Sequence, residues 1–130
     1  MILLDTHTLL WWVSSPDELS AKASRAVETG AETGRLLVSS ISAWEVAVLV
    51  AKKRLKLDRS VEDWIARVEA IPAVQFLPVD NAIAVRSVGL EGLHDDPADR
   101  IIAATAMDLG CALVTKDKRL RGYKPLKTVW

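Results

Sequence analysis

The sequence contains one cysteine, no excess of charge of either sign and no long apolar run. Cys111 cannot form an internal disulfide, so a reducing compartment is expected. The 17 basic residues balance the 17 acidic residues, so nucleic-acid binding would require local basic patches. No apolar run approaches the ~18 residues that cross a bilayer, and the apolar first residues lack a basic leader. These absences predict a cytoplasmic protein with no membrane contact.

The length and composition are those of an ordinary globular chain. Half of the 130 residues are hydrophobic and 26% are charged, which argues against disorder. A chain of this length is expected to form one domain, spanning residues 1–130.

Short apolar runs alternate with helical patterns along the chain. Strands are predicted over residues 2–4, 36–38, 74–77, 112–114 and 126–129. Helices are predicted over residues 9–12, 20–30, 41–54, 60–71, 81–89 and 97–109. The helix over 41–54 is apolar on nearly every side, so it is expected to be largely buried. This alternation predicts an α/β fold in three layers, with a central parallel sheet flanked by helices.

Four carboxylates lie at the ends of these apolar runs. Asp5 ends the first run, Glu45 follows the second, Asp99 directly precedes the apolar run 101–106, and Asp117 follows the run 112–115. Open α/β sheets bind their ligands outside the carboxyl ends of the strands. If the four acids meet at that edge, they form a candidate site for a divalent metal.

Three of the acids also have a local structural explanation. Glu45 completes the pattern of a capping box with Ser42, and Asp99 falls in the first helical turn after Asp96-Pro97. Asp117 could cap the short segment 118–121. Asp5 has no such explanation, because an ionised carboxylate at the end of an apolar strand is costly unless it is paired or binds a metal.

Clustering of all four acids would require a cation. Two carboxylates at ~4 Å repel by roughly 4 kcal/mol at an effective dielectric of 20. An all-oxygen site favours Mg²⁺ or Mn²⁺ over Zn²⁺, and no Cys/His pair has zinc spacing. His7 and His94 are isolated in sequence and are not predicted as metal ligands.

Four motifs together resemble the PIN-domain ribonucleases, and within them the VapC toxins of bacterial type II toxin–antitoxin systems. They are Leu3-Leu4-Asp5-Thr6-His7 with Leu9-Leu10-Trp11-Trp12, Ser42-Ala43-Trp44-Glu45, Asp96-Pro97-Ala98-Asp99-Arg100 and Val114-Thr115-x-Asp117. The resemblance implies a PIN-like fold and a ribonuclease that depends on Mg²⁺ or Mn²⁺. It implies that Asp5 and Asp99 bind the metal directly, and that Glu45 and Asp117 complete the catalytic acids. One departure is Ala98, where relatives often carry an aromatic residue.

The residues expected to contact RNA surround the acids. Hydroxyl groups at the motif positions would orient carboxylates or the scissile phosphate, and six of the twelve residues from 116 to 127 are Lys or Arg. Tyr123 in that segment is available to stack on a base, and residues 52–59 hold a second basic cluster. The substrate-binding candidates are Thr6, Arg100, Thr115, Lys116, Lys118 and Arg119.

Five tryptophans raise the question of an interface. Core packing is the expectation for Trp11, Trp12, Trp44 and Trp64, with a partner surface as the alternative. The resemblance implies two partners, a second copy of the chain and a small VapB-like antitoxin whose tail covers the active site.

Two other functions are compatible with acids at strand ends. A phosphate-accepting receiver domain also binds Mg²⁺, but it needs two adjacent acids after the first strand and a phosphorylatable Asp after the third. Here Asp5 stands alone, and Asp80 is a plausible helix cap. A housekeeping PIN-domain nuclease that processes RNA is the stronger alternative.

Overall fold

A five-stranded parallel sheet forms the centre of the computed structural model, which describes residues 1–130. The strands are β1 (Ile2–Leu4), β2 (Leu36–Ser39), β3 (Val74–Leu77), β4 (Ala112–Val114) and β5 (Thr128–Val129). They lie in the order β3-β2-β1-β4-β5, and every neighbouring pair is parallel. The predicted α/β architecture is confirmed, although the last strand is shorter than expected.

Seven helices connect and cover the strands. They are α1 (Thr6–Ser14), α2 (Ala21–Glu32), α3 (Ser40–Ala51), α4 (Val61–Glu69), α5 (Asn81–Val88), α6 (Pro97–Leu109) and α7 (Lys118–Arg121). Local signals set their ends: Ser20 accepts a hydrogen bond from the Ala23 amide at the start of α2, and Gly110 ends α6 with φ +64°. None of the helices is both long and apolar enough to cross a lipid bilayer.

The alternation of side chains along each strand produces two cores, one on each face of the sheet. Leu3 pairs in register with Leu37 and Leu113, and these three residues belong to the core beneath α5 and α6. Leu4, beside Val38, belongs to the opposite core, which α1, α2 and α4 cover. Helices on both faces make the predicted three layers.

The strand order places a switch point beside β1. The chain builds the sheet outward from β1 to β2 and β3, and then crosses to the other side to add β4 and β5. Crevices at such points are where open α/β sheets bind ligands. Receiver-type sheets have the order 2-1-3-4-5, so the receiver alternative is wrong for this chain. Asp80 caps α5, accepting from the Ile83 amide at 2.9 Å.

Helix α3 is less buried than its sequence predicts. Only Ser42 and Val46 are buried, and Trp44 is 57% exposed. The expectation of a largely buried helix is wrong because the sheet and its neighbouring helices cover one face of α3 and the rest of its apolar surface has no covering element. The core prediction holds for Trp64, which is 5% exposed, and fails for Trp44.

Candidate active site

All four predicted acids line one cleft at the carboxyl ends of the central strands. The cleft has a volume of about 330 Å³ and nine of its ten lining residues are polar or charged. Its lining residues are Asp5, Thr6, His7, Trp11, Glu45, Asp96, Asp99, Lys116, Asp117 and Arg119. The predicted convergence of the acids is therefore observed.

Asp5 connects β1 to α1 at the base of the cleft. Its side chain is 7% exposed, and its Oδ1 accepts a hydrogen bond from the Thr8 amide at 2.9 Å, so it also caps α1. Burial raises the pKa of Asp5, and hydrogen bonds from Thr115 and Thr8 offset part of that effect. No basic side chain pairs with Asp5, as the sequence indicated. The capping role was not anticipated.

Glu45 enters the cleft from the second turn of α3. The helix is capped by Ser39, whose hydroxyl accepts from the Ile41 amide, so the proposed capping box between Ser42 and Glu45 is wrong. Instead the Thr6 hydroxyl donates a hydrogen bond to Glu45. Burial raises the pKa of Glu45, the Thr6 hydrogen bond lowers it, and the charges of Asp99 and Asp96 raise it further.

Asp99 lies in the first turn of α6 and contacts a histidine. Asp96 caps the helix by accepting from the Asp99 amide at 2.9 Å, as its sequence predicts. The Asp99 carboxylate oxygen Oδ2 lies 2.7 Å from His94 Nε2. Burial raises the pKa of Asp99, and the hydrogen bond with His94 lowers it by a smaller amount. The negative charges of Asp96 and Asp117 raise this pKa further.

Asp117 closes the cleft on the side of β4. It caps α7 by accepting from the Arg119 amide at 2.8 Å, and it forms a 3.1 Å ion pair with the Arg119 guanidinium. Partial burial raises the pKa of Asp117, but the hydrogen bonds from Arg119 outweigh it, so the pKa is lowered. The same guanidinium lies 3.7 Å from Asp99. A cationic group therefore already bridges two of the clustered acids.

The donor set of the cleft fits a divalent metal. Carboxylate oxygens of Asp99 and Asp117 lie within 4.8 Å of one another, and Asp5 and Glu45 line the same cleft. Asp5, Glu45 and Asp99 have raised pKa values, since the folded state disfavours their charged forms. A cation would favour those charged forms, and carboxylate oxygens are ligands that hard cations prefer.

Three predicted substrate contacts do not line the cleft: Arg100, Thr115 and Lys118. Thr115 is fully buried. Arg100 points away from the cleft and donates hydrogen bonds to five backbone carbonyl groups of the segment 87–94. The prediction that Arg100 binds the substrate is wrong, because its guanidinium is occupied by backbone carbonyl groups. Lys118 is exposed at the start of α7 and does not line the cleft. Thr6, Lys116 and Arg119 do line it.

An aromatic edge of the cleft was missed from sequence. Trp11 lines the cleft, with His7 at 5.7 Å and Trp130 at 5.8 Å between ring centroids. The Lys116 ammonium lies 5.6 Å from the Trp11 ring centre. Tyr123, the aromatic residue expected to stack on a base, is instead half-buried against the core beneath α5 and α6.

Two further residues at the acids were not assigned to the site from sequence. Asp96 could have been found, because the spacing Asp96-x-x-Asp99 puts the cap and the third helical residue on one turn. The contact of His94 with Asp99 had no such signal, since it depends on the path of the loop before α6.

Comparison with known proteins identifies similar chains of the same length. A family model described as PIN domain matches residues 2–124. The chain is 39% identical to Ribonuclease VapC22 of Mycobacterium tuberculosis over an alignment of 133 positions, which covers 99% of this chain and 98% of that relative.

Solved structures share the fold at lower identity. The structure of VapBC2 from Rickettsia felis is 18% identical, with a TM-score of 0.72 and coverage of 98% of this chain and 97% of that one. FitAcB from Neisseria gonorrhoeae is 21% identical, with a TM-score of 0.67 and coverage of 98% and 96%. These two likenesses bear on the fold.

The raised pKa of Glu45 predicts a pH-dependent effect of Glu45→Gln on stability. A raised pKa in the folded state contributes stability that is complete below the unfolded value, about pH 4, and is lost as pH rises through the folded value. The Gln variant does not titrate and can still accept from Thr6. We therefore expect it to gain stability relative to wild type as pH rises toward 7.

Urea unfolding in chelator at several pH values measures this difference. Glu91→Gln, a change at an exposed loop residue, is the matched control and should show no such trend. If Glu45→Gln instead loses stability relative to wild type with rising pH, the electrostatic account of the cleft is contradicted.

Proposed function

The chain belongs to the PIN-domain family, and from that membership we propose that it is a metal-dependent endoribonuclease, the toxin of a type II toxin–antitoxin pair. The observation that carries the proposal is the convergence of Asp5, Glu45, Asp99 and Asp117 in one cleft at the switch point of the sheet. The full-length similarity to a VapC ribonuclease supports the substrate class and the toxin assignment. Residues 1–130 would act as one domain.

We assign the cofactor as Mg²⁺ or Mn²⁺, held by Asp5 and Asp99, with Glu45 and Asp117 completing the catalytic acids. When bound, such an ion supplies Lewis-acid polarisation of a phosphoryl oxygen and a nucleophile at neutral pH. The oxygen-rich donor set supports this choice of ion.

The protein's own groups divide the remaining tasks. Thr6 fixes the orientation of Glu45, whose raised pKa suits it to accept the proton released when water attacks. Lys116 and Arg119 bring positive charge to the rim, where they can contact RNA phosphates. Thr115, buried beside Asp5, holds that carboxylate by a hydrogen bond. The result is hydrolysis of a phosphodiester bond with the charged groups already in place.

We propose that the cleft is regulated by a small VapB-like antitoxin. An acidic cleft with a half-exposed rim is suited to a cationic side chain from a partner, in the way that Arg119 already bridges Asp99 and Asp117. We also propose that the chain pairs with itself, since α3 leaves an apolar surface around Trp44 exposed. Toxin and antitoxin would meet in the cytoplasm.

Metal dependence is the first prediction of this function. Cleavage mapping on total RNA should show cuts with Mg²⁺ or Mn²⁺ and none in excess EDTA. Asp5→Asn should reduce the cleavage rate by more than ~10–100-fold, the loss that is typical when a group hydrogen-bonded to a metal ligand is removed. Asp17→Asn, an exposed change outside the cleft, is the matched control and should cut normally. Undiminished cleavage in EDTA would rule out the metal mechanism.

The basic segment 116–127 predicts the salt dependence of RNA binding. Changing Lys118, Arg121 and Lys124 to Gln should weaken RNA binding. The negative slope of the logarithm of the binding constant against the logarithm of the salt concentration should become shallower by up to about 0.7 per lost phosphate contact. The control neutralises three basic residues that do not line the cleft, Lys22, Arg25 and Arg35. An unchanged slope in the first variant would place the RNA path elsewhere.

Co-purification separates the toxin assignment from the housekeeping alternative. A tagged chain expressed from its native operon should bring down a small protein encoded next to it, and the complex should cleave RNA more slowly than the free chain. Recovery of the chain alone and active, with no adjacent partner gene, would favour an RNA-processing nuclease.

A further inference from the structure

His94 lies outside the acidic set and contacts Asp99 directly. Its Nε2 lies 2.7 Å from Asp99 Oδ2, and both side chains are largely buried, with 15% and 17% of their surface exposed. This is the short end of the range for a hydrogen bond to a carboxylate. The contact therefore fixes one oxygen of Asp99.

The other ring nitrogen indicates which proton His94 carries. Nδ1 is buried and has no hydrogen-bond partner. A buried N–H without a partner would pay the full desolvation penalty of a donor, and a doubly protonated ring would have such a group at Nδ1. An ionised carboxylate only accepts hydrogen bonds, so the 2.7 Å contact requires a proton on Nε2. The neutral ring with that proton leaves an unpaired acceptor at Nδ1 and no unpaired N–H, so His94 donates to Asp99.

Arg100 fixes the loop that carries His94. Its guanidinium donates to the carbonyl groups of Leu93 at 2.8 Å and His94 at 3.1 Å. Its other donors reach the carbonyl groups of Ser87, Val88 and Leu90. These acceptors lie in the last turn of α5 and in the loop that leads from α5 to α6. One side chain therefore ties this segment to α6 in the turn that presents Asp99.

From these contacts we propose that His94 is a positioning residue for Asp99, and that Arg100 holds His94 in place through the loop backbone. Asp99 and Arg100 are neighbours in α6 and act on the same site. Asp99 faces the cleft, while Arg100 faces the loop and holds His94 against Asp99. The proposal rests on the proposed metal site. Groups that hydrogen-bond to metal ligands typically contribute 10–100-fold in metal affinity or activity.

Divalent-ion affinity measured without RNA tests the first step. Titration calorimetry with Mn²⁺ should show binding weakened about 10–100-fold in His94→Leu. His94→Gln carries an amide N–H at a similar reach and should stay within a few-fold of wild type. Glu91→Gln, in the same loop and exposed, should bind as wild type does. Thermal melts in chelator check that each variant is folded.

Arg100→Lys tests the second step. Lysine cannot make the planar fork that reaches five carbonyl groups, so we expect a lower melting temperature and a weakened affinity for Mn²⁺. Long-range ¹H–¹⁵N correlation of the imidazole should show the Nε2–H tautomer for His94 in wild type, with its signals shifted in the Lys variant.

The outcomes separate this inference from the function on which it rests. Wild-type affinity in His94→Leu, or an Nδ1–H tautomer in wild type, would overturn the positioning role while leaving the metal site intact. No binding of Mn²⁺ by the wild-type chain would overturn the metal site itself, and the positioning role with it.

Discussion

Carboxylates gathered at the ends of neighbouring parallel strands repel one another, and much of the structure serves to hold them there. Burial and mutual charge raise the pKa values of Glu45 and Asp99, and burial raises that of Asp5. Such a cluster lowers the stability of the metal-free fold, so the two cores on either side of the sheet must supply the compensating free energy. Electrostatic repulsion of this kind is expected where a site must be preorganised for a cation.

Each acid is held by a different kind of group. Glu45 accepts a hydrogen bond from a hydroxyl group, and Asp5 accepts one from a backbone amide. Asp99 is hydrogen-bonded to an imidazole, and Asp117 forms an ion pair with a guanidinium. None of these partners except Arg119 brings a permanent positive charge into the cleft. The acids are thereby oriented without being fully neutralised, which leaves the cleft attractive to a divalent cation.

Function and folding share residues in this protein. Asp5 and Asp117 each cap a helix as well as line the cleft, so the helices begin at the site because the acids are there. Arg100 serves the backbone alone, although it is the immediate neighbour of Asp99. The unpartnered apolar surface of α3 begins one residue from Glu45, at Trp44, so a partner seated on α3 would lie next to the cleft.

The sequence by itself determined the alternation of strands and helices, most helix ends, the set of four acids and the family motifs. These features depend on residues within one or two turns of one another, where periodicity and capping rules apply. The tertiary structure decided the rest. Glu45 accepts a hydrogen bond from Thr6, 39 residues away, and not from the Ser42 amide of the expected capping box. Arg100 binds the backbone of the loop and not the phosphate of a substrate. The tertiary structure also leaves α3 half-exposed, because an apolar helix is buried only where other elements pack against it. His94 reached Asp99 only because the loop before α6 folds back, and no periodicity in the sequence encodes the path of a loop.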